Sequence, residues 1–205
     1  MLETQSASNV KERILQVSRE LFVKNGYNGV SVRDIATASG TNVAHLNYYF
    51  QSKYNLFELI FEEAFNIMVK RIFAIIQSDK PFFDMIECWI NAYYDLLMEY
   101  PQIPLFVLNE INQNPDRLVR LVQKQDPHDK YAIIAGRVEE EVKKGTIKAT
   151  STIDLGLNVV SLCIFPFIFG KFAMRVADIS FDEYRKVLEQ HKLYVIRFVT
   201  DALKP

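Results

Sequence analysis

Apolar positions recur every three or four residues along most of the chain, and alternating apolar–polar runs are few, so the pattern predicts helices throughout. Val10, Ile14, Val17 and Leu21 form one stripe on a first helix expected from about Asn9 to Asn25, with residues 1–8 frayed ahead of it and Gly26 ending it. A long helix is expected from near Ser52 to about Ser78, with Leu56, Leu59, Ile60, Ala64, Ile67 and Ile72 on its apolar side. Pro81 closes that segment, and further helices are expected over Phe82–Tyr100, Ile103–Gln113 and Lys130–Lys144. Between the last two, Pro115 and Pro127 break the stretch from Asn112 to Asp129 into loop.

The C-terminal end carries two helices of a different kind. Thr152 to about Val176 is apolar nearly all round, which requires burial on more than one side. From Phe181 to Leu203, the residues Phe181, Tyr184, Leu188, His191, Val195, Phe198 and Ala202 alternate at steps of three and four, a heptad-like seam. One subunit can bury one of these surfaces. Burying both calls for a second copy, and two helices from each copy make a four-helix bundle. Residues 152–204 are therefore the expected homodimer surface, with an intramolecular core as the plainer alternative.

Ser31 to Lys53 has a layout of its own: two short helices joined by a tight turn, then the start of a third. Ser31 and Asp34 have capping-box spacing, and Ile35 and Ala36 give the first short helix its apolar side. Ser39-Gly40-Thr41 makes the turn, where Gly40 takes a positive φ without steric cost. Asn42 is placed to cap the second helix or to contact adenine. With residues about 100° apart, Val43, Leu46 and Phe50 share the packed side, and Ala44, His45, Tyr48 and Tyr49 point away from it. One imidazole and two phenols beside a small residue suit a face laid against another molecule. His45 can read a guanine edge or hold a phosphate, and Arg33 and Lys53 flank the unit where phosphates would lie.

These residues resemble the DNA-binding domain of the TetR (tetracycline-repressor-like) family of bacterial transcriptional regulators. The matching pieces are GYNGVSVRDIA, SGTNVAHLNYYF and QSKYNLF, about the first quarter of the chain; beyond them the match is one of helical layout and length. At Asn47 the family often has a phosphate-touching tyrosine, and Asn47 can donate a hydrogen bond there over a shorter reach. The resemblance implies an all-α fold, with a three-helix helix-turn-helix DNA-binding domain over residues 1–53 and a helical ligand-binding and dimerisation domain over residues 54–205. The DNA-facing set is then Arg33, Thr41, Asn42, Ala44, His45, Asn47, Tyr48, Tyr49 and Lys53. In the second domain Phe65, Met68, Trp89, Tyr93, Phe106, Phe165 and Phe167 are the candidates for a cavity taking a small apolar or aromatic effector, although such residues are more often plain core.

Composition changes this picture little. Residues 1–53 carry a net charge of +2 and the remainder −3, a weak surplus that supports a nucleic-acid partner without establishing one. Cys88 and Cys163 stand far apart in apolar runs, as buried thiols would, and form neither a disulfide framework nor a zinc motif. No His, Cys, Asp or Glu set has ligand spacing, so neither metal nor cofactor is expected. The N-terminus lacks an apolar signal core, and the run from Leu155 to Phe169 is read as too short and too interrupted by Asn158 and Pro166 to span a bilayer, so a cytoplasmic protein is expected. An all-helical enzyme is the rival class, yet no Gly-x-Ser-x-Gly, P-loop, His-Glu-x-x-His or paired Glu-x-x-His occurs. A helical adaptor binding protein through Ser31–Lys53 is the third reading. The expectation is a ligand-responsive repressor binding a palindromic operator as a homodimer.

Overall fold

The computed structural model describes residues 2–101, 103–113, 115–124 and 127–205; the side chains of residues 2–8, Val23, Phe106, Asn109, Glu110, Gln113 and Arg117 lie outside the described residues. Ten helices run in order among them: α1 (Leu2–Asn25), α2 (Val32–Ala38), α3 (Val43–Phe50), α4 (Lys53–Ile76), α5 (Phe82–Glu99), α6 (Ile103–Gln113), α7 (Pro115–Gln123), α8 (Pro127–Lys144), α9 (Thr152–Ala177) and α10 (Phe181–Leu203). The fold is all-α, as expected.

Three boundaries depart from the sequence reading. Helix α1 begins at Leu2, not Asn9. The stretch expected as loop holds α7 and the first turn of α8. Pro115 and Pro127 are the first residues of these helices, where a fixed φ is already helical and the missing N–H would have had no partner. Helix α9 passes unbroken through Asn158 and Pro166, and with a mean hydropathy of 1.9 over its most apolar stretch it is long and apolar enough to cross a membrane. Yet only 28% of that stretch is buried within the chain.

The chain divides into two compact units, Met1–Phe65 and Asn66–Pro205. The division falls within α4, three turns beyond the break expected at residue 53, because Leu56, Phe57, Ile60 and Phe61 are buried with the first unit. In that unit α1 packs on α2 and α2 on α3. The buried ridge of α1 is Ile14, Ser18 and Phe22, while Val10, Val17 and Leu21 lie half-buried at its edges. Phe22 sets this rotation: its ring meets Phe57 edge-on at 5.1 Å, and Tyr27 closes on Phe57 at 4.9 Å.

In the second unit α5 is the central helix, packed against α9 and α10, which also pack on each other. The inward ridge of α9 is Leu155, Val159, Cys163, Phe167 and Gly170. Gly170 is required by close approach, since a Cβ there would lie 2.8 Å from the Tyr184 ring of α10, whose hydroxyl donates to the Pro166 carbonyl at 2.7 Å. From α8, the Arg137 guanidinium donates to the carbonyls of Ile76, Ser78 and Lys80, satisfying oxygens that the end of α4 leaves open.

Helices α5 and α10 are joined by the Tyr94 hydroxyl and His191 Nδ1, 2.6 Å apart. Burial raises the phenol's pKa and lowers that of the imidazole, so the phenol keeps its proton and donates to neutral His191. An imidazole held below its ordinary value of 6.5 takes up protons more readily when unfolded, so its contribution is present at neutral pH and falls as pH drops through 6.5 towards the lowered folded value. The melting temperature should therefore fall between pH 7.5 and 5.5, and His191→Gln should reduce that fall. An unchanged pH slope in the variant would show that His191 does not carry it.

Candidate nucleic-acid interface

Local chemistry builds the helix-turn-helix. The Ser31 hydroxyl accepts from the Asp34 N–H at 3.1 Å, and the Asp34 carboxylate accepts from the Ser31 N–H at 2.7 Å, so both halves of the capping box form. These bonds hold the Asp34 carboxyl below its usual range. Gly40 adopts φ +61° in the turn. Asn42 Oδ1 accepts from the His45 N–H at 2.8 Å, so Asn42 is a cap, with its amide N–H groups left to donate outward.

Leu46 and Phe50 are buried beneath α3, as expected, but Val43 is 38% exposed and sits at the edge of the packed face. Outward stand Ala44, His45, Asn47 and Tyr48, the last 80% exposed. Tyr49 is half-buried, its ring edge-on to Tyr48 at 5.1 Å. Arg33 is exposed on α2. Thr41 is less free. The Ser39 hydroxyl donates to the Ile35 carbonyl at 2.6 Å, so the Thr41 hydroxyl supplies the proton of their 2.8 Å contact. Its N–H is spent on the Ala36 carbonyl, which makes Thr41 a turn residue with no donor left for a phosphate in this conformation.

Lys53 does something the sequence reading missed. Its ammonium donates to the carbonyls of Tyr27 at 3.0 Å and Val30 at 2.9 Å, and stands 4.0 Å from the centre of the Tyr27 ring. It latches the loop ahead of α2 to the start of α4, and one of its three protons remains for a phosphate. The partners lie more than twenty residues away along the chain, so no local spacing signals the bond.

The effector candidates separate. Trp89, Tyr93 and Phe167 are buried in the second unit, on α5 and α9. Met68 is half-buried on α4, while Phe65 is buried and belongs to the first unit. The side chain of Phe106 lies outside the described residues. Phe165 is 59% exposed and stacks on Phe169 at 5.5 Å, so it faces outward. Cys163 is buried, its thiol pushed up to about 12 by desolvation, whereas Cys88 is only half-buried.

Phe165 belongs instead to an outer apolar face. Ile153, Leu157, Phe165, Phe169, Phe172 and Val176 are exposed along α9, as are Phe181, Val187, Tyr194 and Phe198 along α10. The expected seam on α10 is split: Tyr184, Leu188 and Val195 pack within the subunit, His191 is half-buried, and Phe181, Phe198 and Ala202 are exposed. A seven-residue repeat drifts about 20° per heptad on a straight helix, which carries its last positions out of the core.

Comparison with known proteins identifies the arrangement. Residues 14–60 match the family model for bacterial regulatory proteins of the tetR family. The Bacillus subtilis (strain 168) protein named Probable HTH-type transcriptional regulator YttP is 24% identical over 193 residues, 91% of this chain and 92% of that protein. The HTH-type transcriptional regulator QacR of Staphylococcus aureus is 45% identical over 49 residues, 24% of this chain and 26% of QacR. The fold matches a TetR/AcrR family regulator of Thermobifida fusca with a TM-score of 0.62 at 18% identity, covering 91% of this chain and 97% of that one. Residues 14–60 therefore carry the DNA-binding helix-turn-helix domain of the TetR family of bacterial transcriptional regulators, and the whole chain shares the fold of such regulators.

Proposed function

We propose that the protein is a cytoplasmic repressor that binds a near-palindromic operator as a homodimer and is released by a small, apolar or aromatic effector. The observation that carries DNA reading is α3 itself: Leu46 and Phe50 fix it from beneath, while His45, Asn47 and Tyr48 stand outward. Base contact is assigned to His45 and Tyr48. Arg33, Asn47, Tyr49 and the free proton of Lys53 are assigned to phosphates, Ala44 to close approach, and Thr41 and Asn42 to shaping the turn and cap. The partner for the outer face of α9 and α10 is a second copy. Such a two-fold assembly matches the symmetry of an inverted repeat.

The effector is assigned to the unit Asn66–Pro205. It must bind better to the form that fits the operator poorly, for otherwise it shifts nothing. Coupling of about 1–3 kcal/mol changes operator affinity roughly 5- to 150-fold, and operator must weaken ligand binding by the same factor. The test is a thermal-shift screen followed by titration of each binder with and without saturating operator. Unequal affinities matched by equal loss of DNA binding are the expected result. Binders that leave operator affinity untouched would contradict release by that ligand.

A further inference from the structure

A cleft of about 290 Å³ opens between α5 and α10, lined by Tyr94, Asp95 and Met98 on one side and by Arg185, Glu189 and Lys192 on the other. Ligand pockets span about 300–1,000 Å³, so this volume suits a small molecule. Its two walls are tied together, because the Tyr94 hydroxyl and His191 Nδ1 bridge α5 and α10 at 2.6 Å. Asp95 is held as well: Arg71 of α4 donates to one of its carboxylate oxygens at 3.0 Å and leaves the other free. With residues about 100° apart, Arg185, Glu189 and Lys192 stand on the flank of α10 opposite Val187, Tyr194 and Phe198. A second copy seated on those apolar side chains therefore leaves the cleft open.

The charged groups of the lining are largely unspent. Arg185 Nε stands 3.8 Å from Glu189 Oε1, an ion pair too long for a hydrogen bond, so the guanidinium fork and the Glu189 carboxylate both remain open. Lys192 has no ion-pair or hydrogen-bond partner among the described residues. Two carboxylates and two cations thus share one cleft. A ligand carrying one sign of charge meets two like charges there. An uncharged apolar ligand strips water from four ions and returns no hydrogen bond. A molecule carrying both an ammonium and a carboxylate satisfies all four. We infer that the cleft between α5 and α10 binds a small zwitterion of the amino-acid type, its carboxylate on Arg185 and Lys192 and its ammonium on Asp95 and Glu189. Met98 and the Tyr94 ring supply apolar surface for a short aliphatic chain. Walls already fixed by the Tyr94–His191 and Arg71–Asp95 bonds lower the cost of ordering the site. This site is separate from the apolar effector assigned above and does not rest on it.

The experiment uses the full chain and probes matched in skeleton. L-leucine is set against 4-methylpentanoate, which lacks the ammonium, and 3-methylbutylamine, which lacks the carboxylate. The longer zwitterion 6-aminohexanoate is set against hexanoate and pentylamine in the same way. Affinities come from calorimetry. In protein labelled at its methionine methyls, the Met98 resonance, assigned through Met98→Leu, reports occupancy of this cleft. The expected result is at least one zwitterion binding about tenfold more tightly than both of its singly charged relatives, with a shift of the Met98 methyl. Glu189→Gln should cut the advantage over the carboxylate probe several-fold and keep the advantage over the amine. Arg185→Gln with Lys192→Gln should abolish the advantage over the amine and keep that over the carboxylate. None of these three side chains is buried, so both variants should fold, which circular dichroism checks. Zwitterions binding no more tightly than their relatives overturn the inference. So do binding that leaves the Met98 methyl unmoved, advantages unchanged in either folded variant, or failure of every probe to bind.

Discussion

Replacing Phe165 and Phe198 together by glutamate should convert the protein from dimer to folded monomer. Both side chains are more than half exposed on the outer face of α9 and α10, so neither supports the core of its own subunit. In a two-fold interface each substitution appears twice. Four carboxylates would then enter an apolar contact, and burying even one unpaired charge costs several kcal/mol. Since about 1.4 kcal/mol is a factor of ten in affinity, the dimer dissociation constant should rise at least about a hundredfold. Sedimentation at micromolar concentration checks the state, and circular dichroism checks that the helices persist. Val195 is the wrong place for this test: at 1% exposure it packs inside the subunit, and Val195→Glu would unfold it. A wild-type protein that is monomeric at micromolar concentration would contradict the dimer, and so would a double variant that stays dimeric. Wild-type protein partitioning onto lipid vesicles in place of dimerising would assign the apolar face of α9 to a membrane.

The second large effect concerns DNA. His45→Ala and Tyr48→Ala should each lose about 1–3 kcal/mol of discrimination between the preferred operator and a base-substituted one. Neither side chain is buried, so the melting temperature should stay unchanged. Lys53→Ala should behave differently in both respects. Binding to every duplex weakens, because a phosphate contact carries no base information. Stability also falls, because the Tyr27 and Val30 carbonyls lose their shared donor and the loop ahead of α2 loses its latch. Paired operator titrations and melts separate the two classes. Unchanged sequence preference in both His45 and Tyr48 variants would remove base reading from them, and an unchanged melt for Lys53→Ala would show the latch to be inert.

What could be read from sequence was what local spacing determines. The Ser31–Asp34 box, the Asn42 cap and the positive φ of Gly26 and Gly40 each involve residues within a turn of one another, and all are present. Contacts between distant residues left no such trace: the Lys53 bonds to Tyr27 and Val30, the Arg137 clamp on the end of α4, and the Tyr94–His191 pair. Proline misled because it both ends helices and begins them, and only the flanking structure chooses between the two at Pro115 and Pro127. Helix α9 was ambiguous for another reason. A helix apolar on all sides has no phase, so its pattern does not tell inward Phe167 from outward Phe165.

Two copies joined through α9 and α10 should place two α3 helices on one symmetric DNA site. Selection of bound duplexes from a random pool, followed by sedimentation of the complex, tests this arrangement. The expected result is enrichment of an inverted repeat, two protomers on each duplex or a multiple of two, and affinity that falls steeply as salt rises. Recovery of no preferred sequence at moderate salt, or of a lone half-site holding one protomer, would contradict it.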